Sequence, residues 1–178
     1  IELIPTFMIK TNVPTITNVK PYTPLELHGR DLYVREGCYT CHSQMIRPFR
    51  SETERYGEYS KAGEFVYDYP FQWGSKRIGP DLAREGVGNL KKSDGWHFRH
   101  FREPGSMSEG SIMPSYAFLF EKEIDTSITP AKIRAMQTLG VPYGDGYDKL
   151  ANRELMDQAK LVSQNLASDS IRIAPNRE

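Results

Sequence analysis

The sequence predicts an all-α domain whose helices are joined by long loops. No stretch of the chain has the alternation of apolar and polar residues that marks a strand. Four stretches instead carry the start and stop signals of helices, whereas residues 47–93 and 105–120 show no sustained period. Loops of this length disfavour most packed folds, but they suit a domain that wraps a cofactor.

Composition excludes several classes of protein. Lys plus Arg and Asp plus Glu both number 23, so the chain lacks the basic surplus of a dedicated nucleic-acid-binding protein, and we expect no nucleic-acid partner. The mean hydropathy is -0.57, and no apolar run approaches the roughly 20 residues that a membrane-spanning helix needs. The two Cys residues are too few for a disulfide framework.

Residues 1–22 are predicted to tether the domain. The chain begins with Ile1 rather than Met, which indicates a processed or truncated chain. Residues 1–9 are apolar but short, and we interpret them either as an N-terminal strand or arm or as the end of a membrane anchor. The Pro, Thr and Asn residues that follow are typical of an extended linker.

Capping signals predict four helices. Their approximate bounds are 24–37, 94–103, 129–140 and 149–167. The first begins with a capping box formed by Thr23 and Glu26, with Pro24 at the first helical position. Ser93 caps the second helix. Gly29, in the middle of the first helix, predicts a close approach between this helix and the last one.

One motif carries chemistry. Residues Cys38–His42 read Cys-Tyr-Thr-Cys-His, the pattern for covalent attachment of a c-type haem. Two thiols at this spacing reach the two vinyl groups of one porphyrin, and the following histidine lies beneath the iron. The single motif therefore predicts one haem c, attached through Cys38 and Cys41. Two alternatives are a thioredoxin-like dithiol, which needs a βαβ context that is absent, and a zinc site completed by another histidine.

The iron then needs a sixth ligand. The candidates are the methionines and the free histidines: Met8, Met45, Met107, Met113, Met136, Met156, His28, His97 and His100. Met45 is too close to His42 in sequence to reach the opposite face of the haem. Met136 and Met156 fall on helices, where we expect them to pack inside, and His28 is expected to face solvent.

Met113 is the favoured sixth ligand. It lies in a predicted loop, and Pro114 restricts it to extended backbone, which suits a loop that presents a thioether to the iron. Met107 and a histidine remain alternatives. Axial His and Met ligands together raise the reduction potential of a haem, which suits electron transfer.

Further contacts to the cofactor are predicted from the loops. A metal-ligating histidine donates its other ring N–H to an acceptor, and the turn Ile78–Leu82 offers the carbonyl of Pro80, although the same residues also fit an ordinary turn. The haem carboxylates need donors, and our candidates among the loop cations and tryptophans are Arg47 and Trp96. Trp96 is also expected to cover the haem edge.

The order of these elements resembles that of a class I cytochrome c domain. More specifically, the chain resembles the mono-haem cytochrome c subunit of cbb3-type cytochrome c oxidases. The residues that carry the resemblance are 19–27, 29–31, 35–50, 54–64, 73–84 and 111–114. It implies an all-α, class I cytochrome c-like fold over residues 23–168, with long haem-wrapping loops. Residues 121–148 look like an insertion before the C-terminal helix, used for packing or subunit contact, and residues 169–178 like a loose tail.

The same resemblance implies a function. It makes Cys38 and Cys41 the haem attachments and His42 and Met113 the iron ligands. It places the domain on the periplasmic side of the bacterial inner membrane, anchored by an N-terminal helix of which residues 1–9 would be the end. Electrons would pass from a di-haem cytochrome c subunit or a soluble cytochrome c donor to the catalytic haem-copper oxidase subunit, which reduces oxygen to water in aerobic respiration. The isolated chain would not be an enzyme.

Two other functions remain as alternatives. A free, soluble periplasmic cytochrome c that shuttles electrons would have no hydrophobic anchor. A haem enzyme with an open iron position would follow if Met113 does not bind iron, and carbon monoxide binding to the reduced protein would distinguish this case.

Overall fold

The chain is built from helices and long loops, which a computed structural model describes for residues 15–171 except Ser75. These residues contain no β-strand, so the predicted all-α class is confirmed. The α-helices are α1 (Pro24–Arg35), α2 (Arg50–Tyr56), α3 (Asp94–Arg102), α4 (Pro104–Met107), α5 (Thr129–Thr138) and α6 (Tyr147–Ser168). Short 3-10 helices lie at Cys38–Thr40, Ala62–Phe65, Gly88–Leu90, Ala117–Glu121 and Thr126–Ile128.

The predicted ends of the chain are only partly covered. The anchor predicted at residues 1–9, the linker up to residue 14 and the tail from residue 172 lie outside the described residues. Within the described part, no helix combines the length and the apolar character needed to cross a membrane.

The helices α1 and α3 begin where their capping residues predict. Thr23 Oγ1 accepts from the backbone N–H of Glu26 at 3.4 Å, and the Glu26 carboxylate accepts from the Thr23 N–H at 2.8 Å. Ser93 Oγ accepts from the N–H of Trp96 at 3.2 Å. The short helices α2 and α4 lie in stretches predicted as loops. Neither has a side-chain N-cap, so the capping signal that marks the start of α1 and α3 is missing from both.

The helices α1, α5 and α6 share one apolar core. Leu27 comes from α1, Ile133 and Met136 from α5, Val141 from the turn after α5, and Ala151 from α6. All five side chains are buried. Ile133, Met136 and Val141 belong to the segment interpreted as an insertion, so this segment supplies a large part of the core that it was expected to pack against.

Asp169, at the end of α6, holds α3 in place. Its Oδ2 accepts from the N–H of Gly95 at 2.8 Å, and its backbone carbonyl accepts from the Arg99 guanidinium at 2.7 Å. A Cβ on Gly95 would lie 2.4 Å from Asp169 Oδ2, so only glycine fits this approach without a shift. The first residue after α6 is therefore tied to the helix that carries Trp96.

The face of α1 that packs differs from the prediction. The helices α1 and α6 pack together as expected, but Gly29 is exposed and has no atom within 4 Å of its Cβ position, so its predicted role in that contact is wrong. His28, expected to face solvent, is only 7% exposed, whereas Met156, expected to pack inside, is 50% exposed. The reason is that Leu27 and His28 of α1 pack against α5. Because α5 is distant in sequence, the spacing of apolar residues in α1 does not show which face contacts it.

His28 joins α1 to α5 through a polar cluster. Its Nε2 lies 2.9 Å from Thr129 Oγ1, and its Nδ1 lies 3.3 Å from the ammonium of Lys132, which also pairs with Asp31. An ammonium group can only donate, so Nδ1 is the acceptor and the neutral ring donates from Nε2 to Thr129. Burial, followed by the charge of Lys132, lowers the pKa of His28, and the carboxylates of Asp31 and Asp125 oppose this more weakly.

Acidification is expected to destabilise the contact between α1 and α5. Because the folded-state pKa of His28 is lowered, the unfolded chain takes up the proton first. The stabilising contribution is complete above the ordinary histidine pKa of about 6.5, and it is lost as the pH falls from there through the folded-state value. In His28→Gln, an amide replaces the neutral ring as donor and acceptor, so unfolding in urea should lose part of its pH dependence between about pH 7.5 and about pH 5.5.

His97→Gln is the matched control, because His97 is half-buried on α3 and far from this cluster in sequence. It should keep the pH dependence that His28→Gln loses. Equal pH dependence of the wild type and His28→Gln would show that the cluster does not sense protons.

Candidate functional site

The two cysteines lie on one tight turn at the end of α1. Gly37 has a positive φ of 73°, and the 3-10 turn Cys38–Thr40 follows it directly. The backbone N–H groups of Cys41 and His42 both donate to the carbonyl of Cys38, at 3.1 and 2.9 Å. Both thiols are free and half-buried, and burial raises the pKa of Cys38. One short stretch therefore presents two thiols and an imidazole.

The imidazole of His42 contacts the predicted carbonyl. Its Nδ1 lies 2.8 Å from the oxygen of Pro80, and the neighbouring N–H of Gly79 donates to the carbonyl of Cys41 at 2.9 Å. A carbonyl oxygen can only accept, so Nδ1 carries the proton and Nε2 keeps a free lone pair. This tautomer is the one in which a histidine ligates a metal through Nε2 while its other nitrogen is held by the protein.

Two glycines leave room for this histidine. A Cβ on Gly79 would lie 2.3 Å from His42 Cε1, so the ring lies directly against the glycine backbone. Gly74 has a φ of 69°, and a Cβ there would lie 2.6 Å from the His42 carbonyl oxygen. The role of Gly74 was not predicted, because neither its positive φ nor its contact with His42 has a signal in the local sequence.

A buried carboxylate connects the two halves of the site. Asp81 is 1% exposed, and its Oδ2 accepts from Ser43 Oγ at 2.6 Å and from the N–H of Met45 at 2.8 Å. Its Oδ1 accepts from the N–H of Ala83 at 2.9 Å. Asp81 directly follows the proline that contacts the imidazole, and Ser43 directly follows the histidine, so these bonds fix the two segments relative to each other. The role of Asp81 has only one signal in the sequence, an acidic residue inside the Gly-Pro-Asp-Leu turn, and it was not predicted.

Arg77 extends this network outwards. Its Nη2 donates to the carbonyl of Met45 at 2.7 Å and lies 3.3 Å from the Asp81 carboxylate, and its Nη1 lies 2.6 Å from Glu52. Arg47, predicted to bind a haem carboxylate, contacts Glu52 through its guanidinium and through its backbone N–H, the latter at 2.8 Å. Burial raises the pKa of Glu52, but the hydrogen bonds from Arg77 and Arg47 outweigh it and hold the pKa at about 2.

The loop that contains Met113 is fastened to the end of α3. Ser115 Oγ donates to the carbonyl of Arg102 at 2.6 Å, and the N–H of Tyr116 donates to the carbonyl of Phe101 at 2.8 Å. Burial and then the charges of the two cysteines raise the pKa of Tyr116, so this end of the loop lies within electrostatic reach of the thiols. Met113 itself is half-buried.

The other methionine candidates occupy different environments. Met107 is half-buried at the end of α4, Met136 is buried in the core, and Met156 is exposed on α6. The backbone of Met45 is fixed by the buried Asp81 carboxylate. Met8 lies outside the described residues.

Buried donors without partners lie among the aromatic side chains. Trp96 stacks on His100 with ring centroids 4.5 Å apart, and Trp73 stacks on Phe71 at 4.7 Å. Among the described residues, Trp73 Nε1 and His100 Nδ1 are buried and have no hydrogen-bond partner. An unpaired buried N–H costs about 1–3 kcal/mol, so Trp73 Nε1 fits a donor to a ligand carboxylate.

The described residues do not form a metal site from protein ligands alone. No group of three or more His, Cys, Asp or Glu side chains converges within residues 15–171, Ser75 excepted. The free thiols, the oriented imidazole and the unpaired tryptophan N–H fit a haem instead, because a haem brings its own four equatorial nitrogens and its own carboxylates.

A methyl group at Gly79 should disrupt the site. Gly79→Ala pushes on the His42 ring and should cost about 1–3 kcal/mol of unfolding free energy, the range for overpacking. Gly86→Ala is the control, since no atom lies within 4 Å of that Cβ position, and it should change stability by about 0.5 kcal/mol or less. Equal unfolding free energies for the two variants, measured in urea, would refute the close packing of His42 on Gly79.

Loss of the buried charge should loosen both segments. Asp81→Asn turns an amide NH2 towards backbone N–H donors and removes a charge from beside Arg77, which should cost about 2–4 kcal/mol. Hydrogen exchange at the N–H groups of Met45 and Ala83 should accelerate. Glu54→Gln, at an exposed ion pair, should cost about 0.5 kcal/mol or less. Unchanged exchange at both amides in Asp81→Asn would contradict the role assigned to this carboxylate.

Comparison with known proteins agrees with this geometry. The family described as cytochrome c oxidase, mono-heme subunit/FixO matches residues 1–178. A search of curated proteins finds no match. The free Cys38 and Cys41 are consistent with the one covalently bound haem c of that family. The chain therefore belongs to the FixO family of mono-haem cytochrome c oxidase subunits, which serve electron transport in the cbb3-type oxidases of the respiratory chain.

Proposed function

We propose that this chain carries single electrons through one six-coordinate haem c. Cys38 and Cys41 would form the two thioethers, His42 Nε2 would bind the iron, and Met113 Sδ would bind it on the opposite face. The haem would supply a reversible ferric–ferrous change, and with both His42 and Met113 as ligands it would keep no open position for substrate. The observation that carries the proposal is the 2.8 Å contact between His42 Nδ1 and the Pro80 carbonyl, which leaves Nε2 as the free nitrogen beside two free thiols.

The surrounding residues would keep the ligand rigid. The Pro80 carbonyl accepts the Nδ1 proton, which fixes the ring orientation and raises the basicity of Nε2. Gly79 packs against the ring, and Asp81 ties the proline segment to the residue after the histidine. A ligand that does not move between oxidation states lowers the reorganisation that accompanies each electron transfer.

The haem carboxylates would be held by donors in the loops. Trp73 is our first choice, because its Nε1 is buried and without a partner among the described residues. Arg47 and Trp96 remain proposals from the sequence. The guanidinium of Arg47 already contacts Glu52, and Trp96 stacks on His100, which suits a cover over the haem edge better than a donor.

The partners proposed are the other components of the oxidase. Electrons would enter from a di-haem cytochrome c subunit or a soluble cytochrome c and leave to the catalytic haem-copper subunit, where oxygen becomes water. Family membership supports an oxidase subunit in a membrane-associated complex. The resemblance in sequence supports the periplasmic side of the bacterial inner membrane.

The axial ligand is the sharpest test of this function. The oxidised protein should show the weak near-infrared band of sulfur bound to ferric iron, and Met113→Ala should lose it. The reduced wild type should not bind carbon monoxide at neutral pH, whereas reduced Met113→Ala should bind it at the vacated position.

Met107→Ala is the matched control, since this methionine is also half-buried and close in sequence. It should keep the band. Loss of the band in Met107→Ala, with retention in Met113→Ala, would show that Met107 and not Met113 binds the iron. Carbon monoxide binding by the wild type would favour an open-site haem enzyme.

A further inference from the structure

A pocket of about 470 Å³ is lined in part by the segment that holds the imidazole. Its lining includes Arg47, Arg55, Tyr56, Arg77, Ile78 and Pro80. Pro80 and Gly79 both line the pocket and both contact the His42 ring, so the pocket shares two residues with the surroundings of the ligand histidine. The electron carrier described above gives this pocket no role.

The pocket carries more positive than negative charge. Glu52 is the acidic residue of its lining, and it contacts both Arg47 and Arg77. Arg55 forms no ion pair within the described part of the chain, and its guanidinium lies 5.1 Å from the centre of the Tyr56 ring. Arg77 lies 5.3 Å from the same ring. The surplus charge is therefore on Arg55, which is exposed and free to bind an anion.

Two exposed apolar side chains accompany the charged residues of the pocket: Ile78 in its lining and Phe49 beside Arg47. Ile78 is 59% exposed and Phe49 is 57% exposed, and the Arg47 guanidinium lies 5.5 Å from the Phe49 ring. Arg, Tyr and Phe are enriched where protein interfaces have their strongest contacts, and Lys is depleted there. Apolar side chains beside a charged donor help to exclude water from an ion pair that forms there.

Two of the three guanidinium groups of the pocket, those of Arg47 and Arg77, are held in place before any partner binds. Hydrogen bonds from Arg47 and Arg77 keep the pKa of Glu52 at about 2, so this carboxylate stays charged and anchors both guanidinium groups. Arg77 is also fastened to the carbonyl of Met45 at 2.7 Å. Groups that are already ordered lose little entropy on binding, which favours affinity at a small site.

We propose that this pocket is a docking site for an Asp or Glu side chain, flanked by an apolar residue, on another protein subunit of the oxidase. The proposal rests on the proposed function, which makes the chain part of such an assembly. Arginine suits this occupant because its planar fork matches a carboxylate. Docking here would bring the partner against Gly79 and Pro80, the two residues of the lining that contact the His42 ring.

A lipid surface fits the pocket less well than a protein does. Binding to anionic headgroups uses clusters of about 4–8 Lys or Arg residues. The pocket offers three guanidinium groups, of which two are already bound to Glu52. Its concave shape and single unpaired cation favour one carboxylate on a protein rather than the surface of an anionic membrane.

Affinity for the rest of the oxidase tests the proposal. The 178-residue chain, loaded with haem, is titrated against a detergent-solubilised oxidase assembly that lacks its own copy of this subunit. Arg55→Glu should weaken binding by about tenfold or more, because an ion pair becomes a repulsion. Arg55→Lys should lose less, since the charge remains. Arg153→Glu, at an exposed arginine on α6, is the matched control and should bind as the wild type does.

The outcomes distinguish failure of the docking site from failure of the proposed electron-transfer function. Absorption spectra of each variant report whether the haem and its ligands are intact, so normal spectra with weakened binding of Arg55→Glu alone support the pocket. Equal affinity of Arg55→Glu and wild type, or no binding by the wild type, overturns the docking site and leaves the electron carrier untouched. Binding of the chain to vesicles of phosphatidylglycerol and phosphatidylcholine that Arg55→Glu abolishes, with oxidase affinity unchanged, would assign the pocket to the membrane and overturn the proposal.

Discussion

The site depends on one hydrogen bond between segments that are far apart in sequence. The Nδ1 of His42 lies 2.8 Å from the carbonyl oxygen of Pro80, and neighbouring hydrogen bonds hold the two segments together. The backbone pairs the two segments on either side of it: the N–H of Gly79 donates to Cys41 and the N–H of Leu82 donates to Ser43, both at 2.9 Å. The contact decides which ring nitrogen is free, and the free nitrogen decides what the histidine can bind.

A fully buried carboxylate stabilises this arrangement. Removing Asp81 from water is costly, and the cost is offset by three hydrogen bonds at 2.6 to 2.9 Å and by the guanidinium of Arg77. The same guanidinium also pairs with Glu52, which lines a pocket at the surface. The network of ion pairs therefore extends from the buried carboxylate to that pocket. Rigidity at the histidine and a preformed anion-binding surface are two consequences of one network.

Local signals in the sequence predicted much of this structure. The capping box at Thr23 and the cap at Ser93 each depend on residues a few positions apart, and both are confirmed. The carbonyl of Pro80 was predicted from the need of a metal-ligating histidine for an acceptor, and it lies 2.8 Å from His42 Nδ1. The packed face of α1 was predicted wrongly, because His28 is buried by α5 and not by anything in its own helix. The role of Asp81 was missed for the same reason, since its partners lie on a segment distant in sequence.

The orientation of the His42 ring is the central claim, and it can be measured directly in the reduced, diamagnetic protein. Nitrogen-15 NMR should find the proton on Nδ1, slow to exchange with water, with a scalar coupling across the hydrogen bond to the carbonyl carbon of Pro80. Nε2 should carry no proton. A proton on Nε2, or an Nδ1 proton that exchanges freely and shows no coupling, would contradict the account, because the ring would then be held by something other than the proline segment.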